Sequence, residues 1–226
     1  MGYKLTWMYI GTQKVRPTYN YPTPIIRFPF TTNLTDTTNT YTLTSNGASV
    51  TTLDWVKCLD CTSGNVRWDV SILPQWWSAR VNMFWIKAPS NSGSIYSYGN
   101  WYTYTQFDSV FHSWTDKYSW QISGYGMDFN FTRWWLWTHV ALVLSSDSRN
   151  WAIYINGAYS QAYSVGQPFN TTWTYLCVWA EYYDQAYSIF GWHIADFIVD
   201  NTAWTADDIK EYYNSTCSTY WLSPIS

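Results

Sequence analysis

The chain has 226 residues and a formal net charge of −3; 12% of its residues are charged and 22% are aromatic, including 18 Trp and 21 Tyr. This composition excludes a disordered chain, and the length suits one β-sandwich with short extensions. The negative net charge and the scattered positions of Lys and Arg argue against nucleic-acid binding. Since no run of 18 apolar residues occurs, we expect no membrane insertion.

Residues 1–24 predict a short arm. Alternating side chains up to Ile10, a break at Gly11 and a second β-favouring stretch at 13–16 indicate a hairpin, and the prolines at 17, 22 and 24 indicate a stiff tether. Residues 1–35 hold four basic groups and no acid, whereas the rest holds eight basic and 15 acidic groups. A basic arm favours docking on an acidic surface, with a solvated tail as the alternative. We divide the chain into an arm (1–24), with candidate docking residues Lys4, Trp7, Tyr9, Lys14 and Arg16, and a body (25–226).

The stretch 101–137 is aromatic and irregular, which predicts strands joined by long rim loops. Burying one aromatic side chain removes on the order of 150–250 Å² from water, so the chain's 18 Trp, 21 Tyr and 10 Phe would overfill one sandwich and some should lie on the surface. Flat rings beside amides and carboxylates suit a sugar site; the alternative is that these rings pack in the core or against another subunit. The candidate glycan or surface contacts are Trp101, Tyr104, Asp108, Trp114, Trp120 and Gln121.

Two apolar strands are predicted over 137–144 and 151–157. Both faces of the first are largely apolar, which is typical of a strand covered on both sides. The dipeptide Asn156-Gly157 predicts a type I′ turn, because that turn needs positive φ at both central residues. One face carries Val140, Leu142 and Leu144, and the other carries His139, Ala141 and Val143.

A short helix is predicted near the C-terminus. Thr205 suits the N-cap, and Asp207 and Asp208 lie in the first turn, where the helix dipole favours acids. Trp204 and Ile209 are spaced as a hydrophobic staple. We expect about two turns with a structural role.

The pair Cys58 and Cys61 has C-x-x-C spacing, but no second pair completes a zinc site. The β-rich surroundings do not suit a thioredoxin-type motif. A local disulfide, two free thiols and a bridge to Cys217 are the alternatives. Cys177 is interpreted as a buried core thiol.

Five motifs in order resemble concanavalin A-like and laminin-G-like jelly rolls, over about residues 28–214. They are FPF (28–30) to the NG turn (46–47), WIK (85–87), SIYSYG (94–99), the pair WTHVA (137–141) and IYING (153–157), and IFGWHIADF (189–197) with the helix at 205–213. The resemblance implies an all-β fold, a two-sheet antiparallel jelly-roll sandwich with a short N-terminal arm and one short C-terminal helix. Such relatives often bind calcium at the rim, with Asp36, Asp54, Asp184 and Asp196 as candidate ligands here. No dense acidic cluster occurs, so we predict no metal and no cofactor.

Catalysis is not indicated. Glycosidases of the resembled fold place paired carboxylates on one strand, whereas this chain has only Glu181 and Glu211, far apart. Glu181 and Asp184 would point to opposite faces of a strand. His139 has no Ser or Asp placed to form a triad and is interpreted as a core histidine.

The segment WMYIGTQKVRP (7–17) resembles a short segment at the start of many bacteriophage virion proteins. We therefore predict a non-enzymatic virion structural protein on the capsid or tail surface: a capsid decoration, head-fibre or tail-fibre subunit with a lectin-like domain. Its partners would be other virion proteins, further copies of itself and cell-surface glycans. The alternatives are a secreted or surface carbohydrate-binding module and a divergent β-glycan hydrolase. The start lacks a signal-peptide pattern, which favours the virion protein.

Overall fold

The structure is a computed structural model that describes residues 8–10, 13–15, 19–69, 72–76, 78–87, 93–99, 107–112, 118–122, 125–130, 135–146, 149–164, 171, 175–178 and 193–226. Strands dominate these residues, and one α-helix follows them. In chain order the elements are β1 (Met8–Ile10), β2 (Gln13–Val15), β3 (Ile26–Phe28), β4 (Thr44–Asn46), β5 (Ser49–Leu53), β6 (Val56–Asp60), β7 (Asn65–Asp69), β8 (Arg80–Lys87), β9 (Gly93–Gly99), β10 (Phe107–His112), β11 (Tyr118–Ile122), β12 (Tyr125–Phe129), β13 (Thr138–Leu144), β14 (Asn150–Ile155), β15 (Ala158–Ser164), β16 (Tyr175–Val178), β17 (His193–Asp200), α1 (Ala206–Thr216) and a 3₁₀ turn (Cys217–Tyr220).

The described strands form two large sheets. Sheet I has the order β12-β11-β10-β9-β16-β7-β4; sheet II has the order β15-β14-β13-β8-β17-β6-β5, with β3 also paired to β17. Neighbouring strands within each sheet run antiparallel. The predicted fold class, a two-sheet antiparallel sandwich with an N-terminal arm and a C-terminal helix, is confirmed.

The inner faces of the two sheets share one apolar core. Val140, Leu142 and Leu144 of β13 lie in it, as predicted. Aromatic rings from opposite sheets meet there: Phe84 of sheet II contacts Tyr96 of sheet I with ring centroids 6.0 Å apart. Because such rings remove large areas from water, they account for much of the attraction between the sheets.

The outer face of sheet II is buried as well. Ala141 and Val143 of β13 belong to a second apolar cluster, which includes Ile209 and Tyr212 of α1. Farther along the same face, Trp85 of β8 stacks on Tyr220 with centroids 3.8 Å apart. The prediction that β13 is covered on both faces is confirmed, and the C-terminal segment provides the outer layer.

The turn between β14 and β15 contacts that layer. Asn156 and Gly157 have φ of +51° and +75°, as predicted for a type I′ turn. A Cβ atom on Gly157 would lie 2.8 Å from the ring of Tyr213. Glycine is therefore required here both by the backbone conformation and by the close approach of α1.

Helix α1 begins with a capping box. The Thr205 hydroxyl accepts a hydrogen bond from the Asp208 amide at 3.2 Å, and the Asp208 carboxylate accepts one from the Thr205 amide at 2.8 Å. Trp204 and Ile209 are buried in one cluster, as predicted for a staple. The helix has 11 residues, about three turns instead of two, because Tyr212 and Tyr213 continue its buried face.

An ion pair joins β3, β17 and α1. The Arg27 guanidinium donates to both carboxylate oxygens of Asp196, at 2.5 and 2.8 Å. The Tyr212 hydroxyl donates to the same carboxylate, and Asp196 itself is buried with φ of +52°. Because Arg27 is partly exposed, losing one partner should cost less than the roughly 3–5 kcal/mol typical of a fully buried pair. The Tyr212 bond to the same carboxylate ties α1 to the sheet.

The predicted N-terminal hairpin is present as a separate two-stranded sheet, in which Met8 pairs with Val15. The end of the tether contacts α1. The Tyr21 ring lies 5.8 Å from the Trp204 ring and 5.4 Å from the Tyr212 ring, and the Tyr19 hydroxyl donates to the Asn214 carbonyl at 3.4 Å. The division of arm and body at residue 24 stays a prediction.

Two truncations would locate the boundary of the folded body. We expect a chain lacking residues 1–18 to keep the thermal stability of the full chain. A chain lacking residues 1–24 should still unfold cooperatively, but its free energy of unfolding should be lower by roughly 1–2 kcal/mol, because the Tyr21 ring contacts are gone. Calorimetry of both proteins measures this, and loss of the cooperative transition in the shorter deletion would place the hairpin in the core.

Candidate functional site

Much of the predicted aromatic site lies outside the described residues. Asp108 and Gln121 are in the neighbouring strands β10 and β11, and Tyr9 is opposite Lys14 in the N-terminal hairpin. For these four, the structure describes the backbone alone, so their roles stay predictions. Trp101, Tyr104 and Trp114, and Lys4, Trp7 and Arg16 of the arm, lie outside the described residues altogether.

Trp120 requires a correction. Its side chain is 0% exposed and belongs to the core between the sheets. The ring packs against Trp151 of sheet II, with centroids 4.7 Å apart. Trp120 cannot contact a glycan from this position, so the core alternative holds for it.

The four cysteines are buried free thiols. Of the three alternatives for Cys58 and Cys61, the structure therefore has two free thiols. Burial raises the pKa of Cys58 and of Cys177 to about 11, which keeps both protonated and poorly nucleophilic at neutral pH.

The described candidate calcium ligands are engaged separately. Asp36 accepts hydrogen bonds from Thr38, Thr40 and Tyr41 within its own loop. Asp54 is paired with Lys87, and Asp196 with Arg27. Within the described part of the chain, no three His, Cys, Asp or Glu side chains lie close enough to hold a metal ion. Asp184 lies outside the described residues.

The most exposed described tryptophan, Trp55, is in the two-residue turn between β5 and β6. It is 88% exposed, and Asp54 and Trp55 have φ of +50° and +66°. Left-handed backbone costs a residue with a side chain roughly 1–2 kcal/mol, and a bulky residue is unusual there. The chain therefore holds this indole in water at a cost in backbone strain, which motivates a functional role.

Trp221 lies beside this turn. It follows the 3₁₀ turn with φ of +61° and is 73% exposed. Its indole Nε1–H donates to the Asp54 carbonyl at 3.2 Å. This bond holds Trp221 against the residue that precedes Trp55, so two exposed tryptophans border the same turn.

Charged groups border the two indoles. The Lys87 ammonium is paired with the Asp54 carboxylate. Lys87, His193 and Asp60 lie side by side across β8, β17 and β6. Burial lowers the pKa of His193; Lys87 lowers it further, whereas Asp60 and Asp54 raise it. We call Asp54, Trp55, Lys87 and Trp221 the tryptophan platform.

Two further apolar side chains are exposed just before β13. Trp135 and Leu136 lead into Trp137, which is buried and packs edge-on against Tyr220, with centroids 5.4 Å apart. Tyr220 in turn precedes Trp221.

The platform has the chemistry of a binding site. Indole faces stack on the apolar C–H faces of sugars. The Asp54 carboxylate can accept hydrogen bonds from sugar hydroxyls, and the Lys87 ammonium can donate hydrogen bonds to them.

Of the two glutamates, Glu211 lies in α1 and Glu181 lies outside the described residues. Among the described residues, no helix is long and apolar enough to cross a membrane.

Solved structures of similar fold are receptor-binding domains of botulinum neurotoxins. The receptor-binding domain of neurotoxin D matches with a TM-score of 0.66 and 15% identity, over 85% of this chain and 52% of that chain. The serotype G binding domain matches with 0.68 and 15%, over 87% and 52%. The serotype D ligand-binding domain in complex with N-acetylneuraminic acid matches with 0.66 and 14%, over 85% and 50%.

At these identities the likeness defines the fold class, a β-sandwich. The chain spans about half the length of the solved structures it matches. No protein-family model matches the sequence, and the comparison with curated proteins gives no match.

His139 is a core residue, as predicted. It is 0% exposed, its ring lies 5.2 Å from Trp85 and 5.4 Å from Tyr212, and among the described residues neither ring nitrogen has a hydrogen-bond partner. Burial lowers its pKa to about 3. The imidazole is therefore neutral in the folded chain.

This burial predicts a loss of stability in acid. Below pH 6.5 the unfolded chain protonates His139 and the folded chain does not, so the free energy of unfolding should fall by about 1.4 kcal/mol per pH unit between pH 6.5 and 3 from this residue alone. His139→Phe should lose this part of the slope while the contributions of His193 and the carboxylates persist. Urea titrations of both proteins between pH 8 and 4 give the difference, and equal slopes would contradict a buried neutral imidazole.

Proposed function

We propose that this chain is a non-enzymatic attachment protein whose laminin-G-like sandwich binds glycans through the tryptophan platform. The observation that carries the proposal is that two exposed tryptophans, Trp55 and Trp221, border one turn, where the Trp221 indole is bonded to the Asp54 carbonyl. A solved structure of similar fold was obtained with a bound sugar, N-acetylneuraminic acid. The other glycan contacts predicted from the sequence, Trp101, Tyr104, Asp108, Trp114 and Gln121, are a second candidate set.

In this proposal the chain is a virion structural protein, a capsid decoration or fibre subunit on the capsid or tail surface. The support is the resemblance of residues 7–17 to virion proteins, together with the basic arm preceding an acidic body. Weak single sites suit such a protein, because many copies on one particle convert poor affinity into strong avidity. The arm, with Lys4, Trp7, Tyr9, Lys14 and Arg16, would contact another virion protein or a further copy.

The glycan site can be tested with three tryptophans in similar conformations. Trp55, Trp221 and Trp76 are all exposed and all have positive φ, so alanine should perturb the backbone similarly in each. We expect Trp55→Ala and Trp221→Ala each to weaken binding of multimerised protein to a glycan array about tenfold or more, since a well-placed aromatic contact contributes on the order of 1.4 kcal/mol or more. Trp76→Ala is the matched control and should bind as the parent does.

Trp120→Ala tests the core assignment in the same assay. It should lower the free energy of unfolding by roughly 3–5 kcal/mol, because a large core ring is removed. Trp55→Ala should leave the free energy of unfolding nearly unchanged. Glycan binding that survives both platform substitutions would favour the second candidate set, Trp101, Tyr104, Asp108, Trp114 and Gln121. Polysaccharide cleavage that is abolished by Glu181→Gln would show an enzyme instead.

The particle assignment has its own test. We expect the full chain to co-purify with intact virus particles and a chain lacking residues 1–18 to be absent from them while keeping its fold and its glycan binding. Quantitative mass spectrometry of gradient-purified particles measures both. Secretion of the full chain without particles would favour the carbohydrate-binding module.

A further inference from the structure

The charged groups beside the platform carry no excess of positive charge. Lys87 is already paired with Asp54, and Asp60 lies one strand beyond His193, with its carboxylate 3.9 Å from the His193 ring. One ammonium group thus lies among two carboxylates, and the lowered pKa of His193 leaves that ring neutral at pH 7.

A surface without an excess of positive charge disfavours an anionic ligand. Recognition of a sugar carboxylate calls for a cation free to form a charge-assisted hydrogen bond, and a bidentate arginine serves best. At the platform, a ligand carboxylate that approached Lys87 would lie near Asp54, the ion-pair partner of Lys87, and near Asp60. Like charges this close repel each other, and that repulsion opposes binding.

A neutral sugar fits the same groups without breaking the ion pair. Carboxylate oxygens have more than one lone pair, so Asp54 can accept from a sugar hydroxyl while still paired with Lys87. The Lys87 ammonium has three N–H donors and can likewise donate to Asp54 and to a sugar hydroxyl at the same time. Stacking on Trp55 and Trp221 requires only an apolar C–H face.

We propose that the tryptophan platform selects neutral glycans and rejects those ending in a sialic acid. This selectivity rests on the proposed glycan-binding function. It differs from the ligand named for the similar serotype D domain, which is an acidic sugar.

Matched ligands test this selectivity directly. The probes are an oligosaccharide ending in galactose and the same oligosaccharide capped with N-acetylneuraminic acid, measured by calorimetry with the full chain at pH 7.4. We expect the capped ligand to bind at least tenfold more weakly. Binding of the neutral ligand should change less than twofold between 50 and 500 mM NaCl, since no net charge is neutralised.

Two variants identify the cause. The double variant Asp54→Asn/Asp60→Asn should bind the capped ligand several-fold more tightly, because both repelling carboxylates are removed and Lys87 no longer has a carboxylate partner. Lys57→Glu adds an acidic group on the opposite face of β6, should leave folding intact, and as a control should change binding of the capped ligand far less than the two Asn substitutions do. Near-ultraviolet circular dichroism confirms that each variant is folded.

The outcomes separate the two proposals. Preference for the neutral ligand, lost in Trp55→Ala and Trp221→Ala and kept in Trp76→Ala, supports both. Preference for the capped ligand with the same dependence on Trp55 and Trp221 overturns the selectivity while the platform stands. Binding of neither ligand, or binding that does not depend on Trp55 and Trp221, overturns the glycan-binding function of the platform itself.

Discussion

Docking of α1 on the outer face of sheet II is the packing interaction on which the rest of the structure depends. It covers Ala141 and Val143 with Ile209 and Tyr212, and each large apolar side chain buried in this way contributes roughly 1.5–3 kcal/mol. It also determines where the chain goes next. The 3₁₀ turn after α1 brings Tyr220 onto Trp85, and the following residue, Trp221, therefore meets the turn of Asp54 and Trp55.

The same layer carries polar atoms that aromatic packing leaves unpaired. Among the described residues, the indole nitrogens of Trp85, Trp137 and Trp204 have no hydrogen-bond partner, and neither have the ring nitrogens of His139. A buried polar group without a partner typically costs about 1–3 kcal/mol. The Asp196 carboxylate, by contrast, accepts hydrogen bonds from Arg27 and Tyr212. Within this layer the carboxylate is therefore well paired, whereas the indole and imidazole nitrogens lower the stability of the fold.

Features encoded by neighbouring residues could be predicted from the sequence. The alternation in β13, the Asn156-Gly157 turn and the Thr205 cap each depend on a few adjacent positions. The platform depends on contacts between distant ones, since Asp54 meets Lys87 across 33 positions and Trp221 across 167. Composition indicates that some aromatic rings are exposed but not which ones, because exposure follows from strand register and from the C-terminal layer. Composition alone therefore cannot distinguish Trp120, which faces Trp151 in the core, from an exposed ring such as Trp55.

Two turns of sheet II show why the platform is more than surplus aromatic surface. Both the turn at 156–157 and the turn at 54–55 have positive φ at both central residues. The first uses Asn-Gly, the pair that meets this backbone requirement at least strain, and its glycine fits against Tyr213. The second uses Asp-Trp, which adds strain and exposes an indole without burying it. Folding gains only the exposed Asp54–Lys87 ion pair from that choice, worth about 0–1 kcal/mol, whereas Asn-Gly would form the same hairpin with less strain and less exposed apolar surface. A carboxylate and an indole at this turn instead provide what a sugar requires, a hydrogen-bond acceptor beside a flat apolar face.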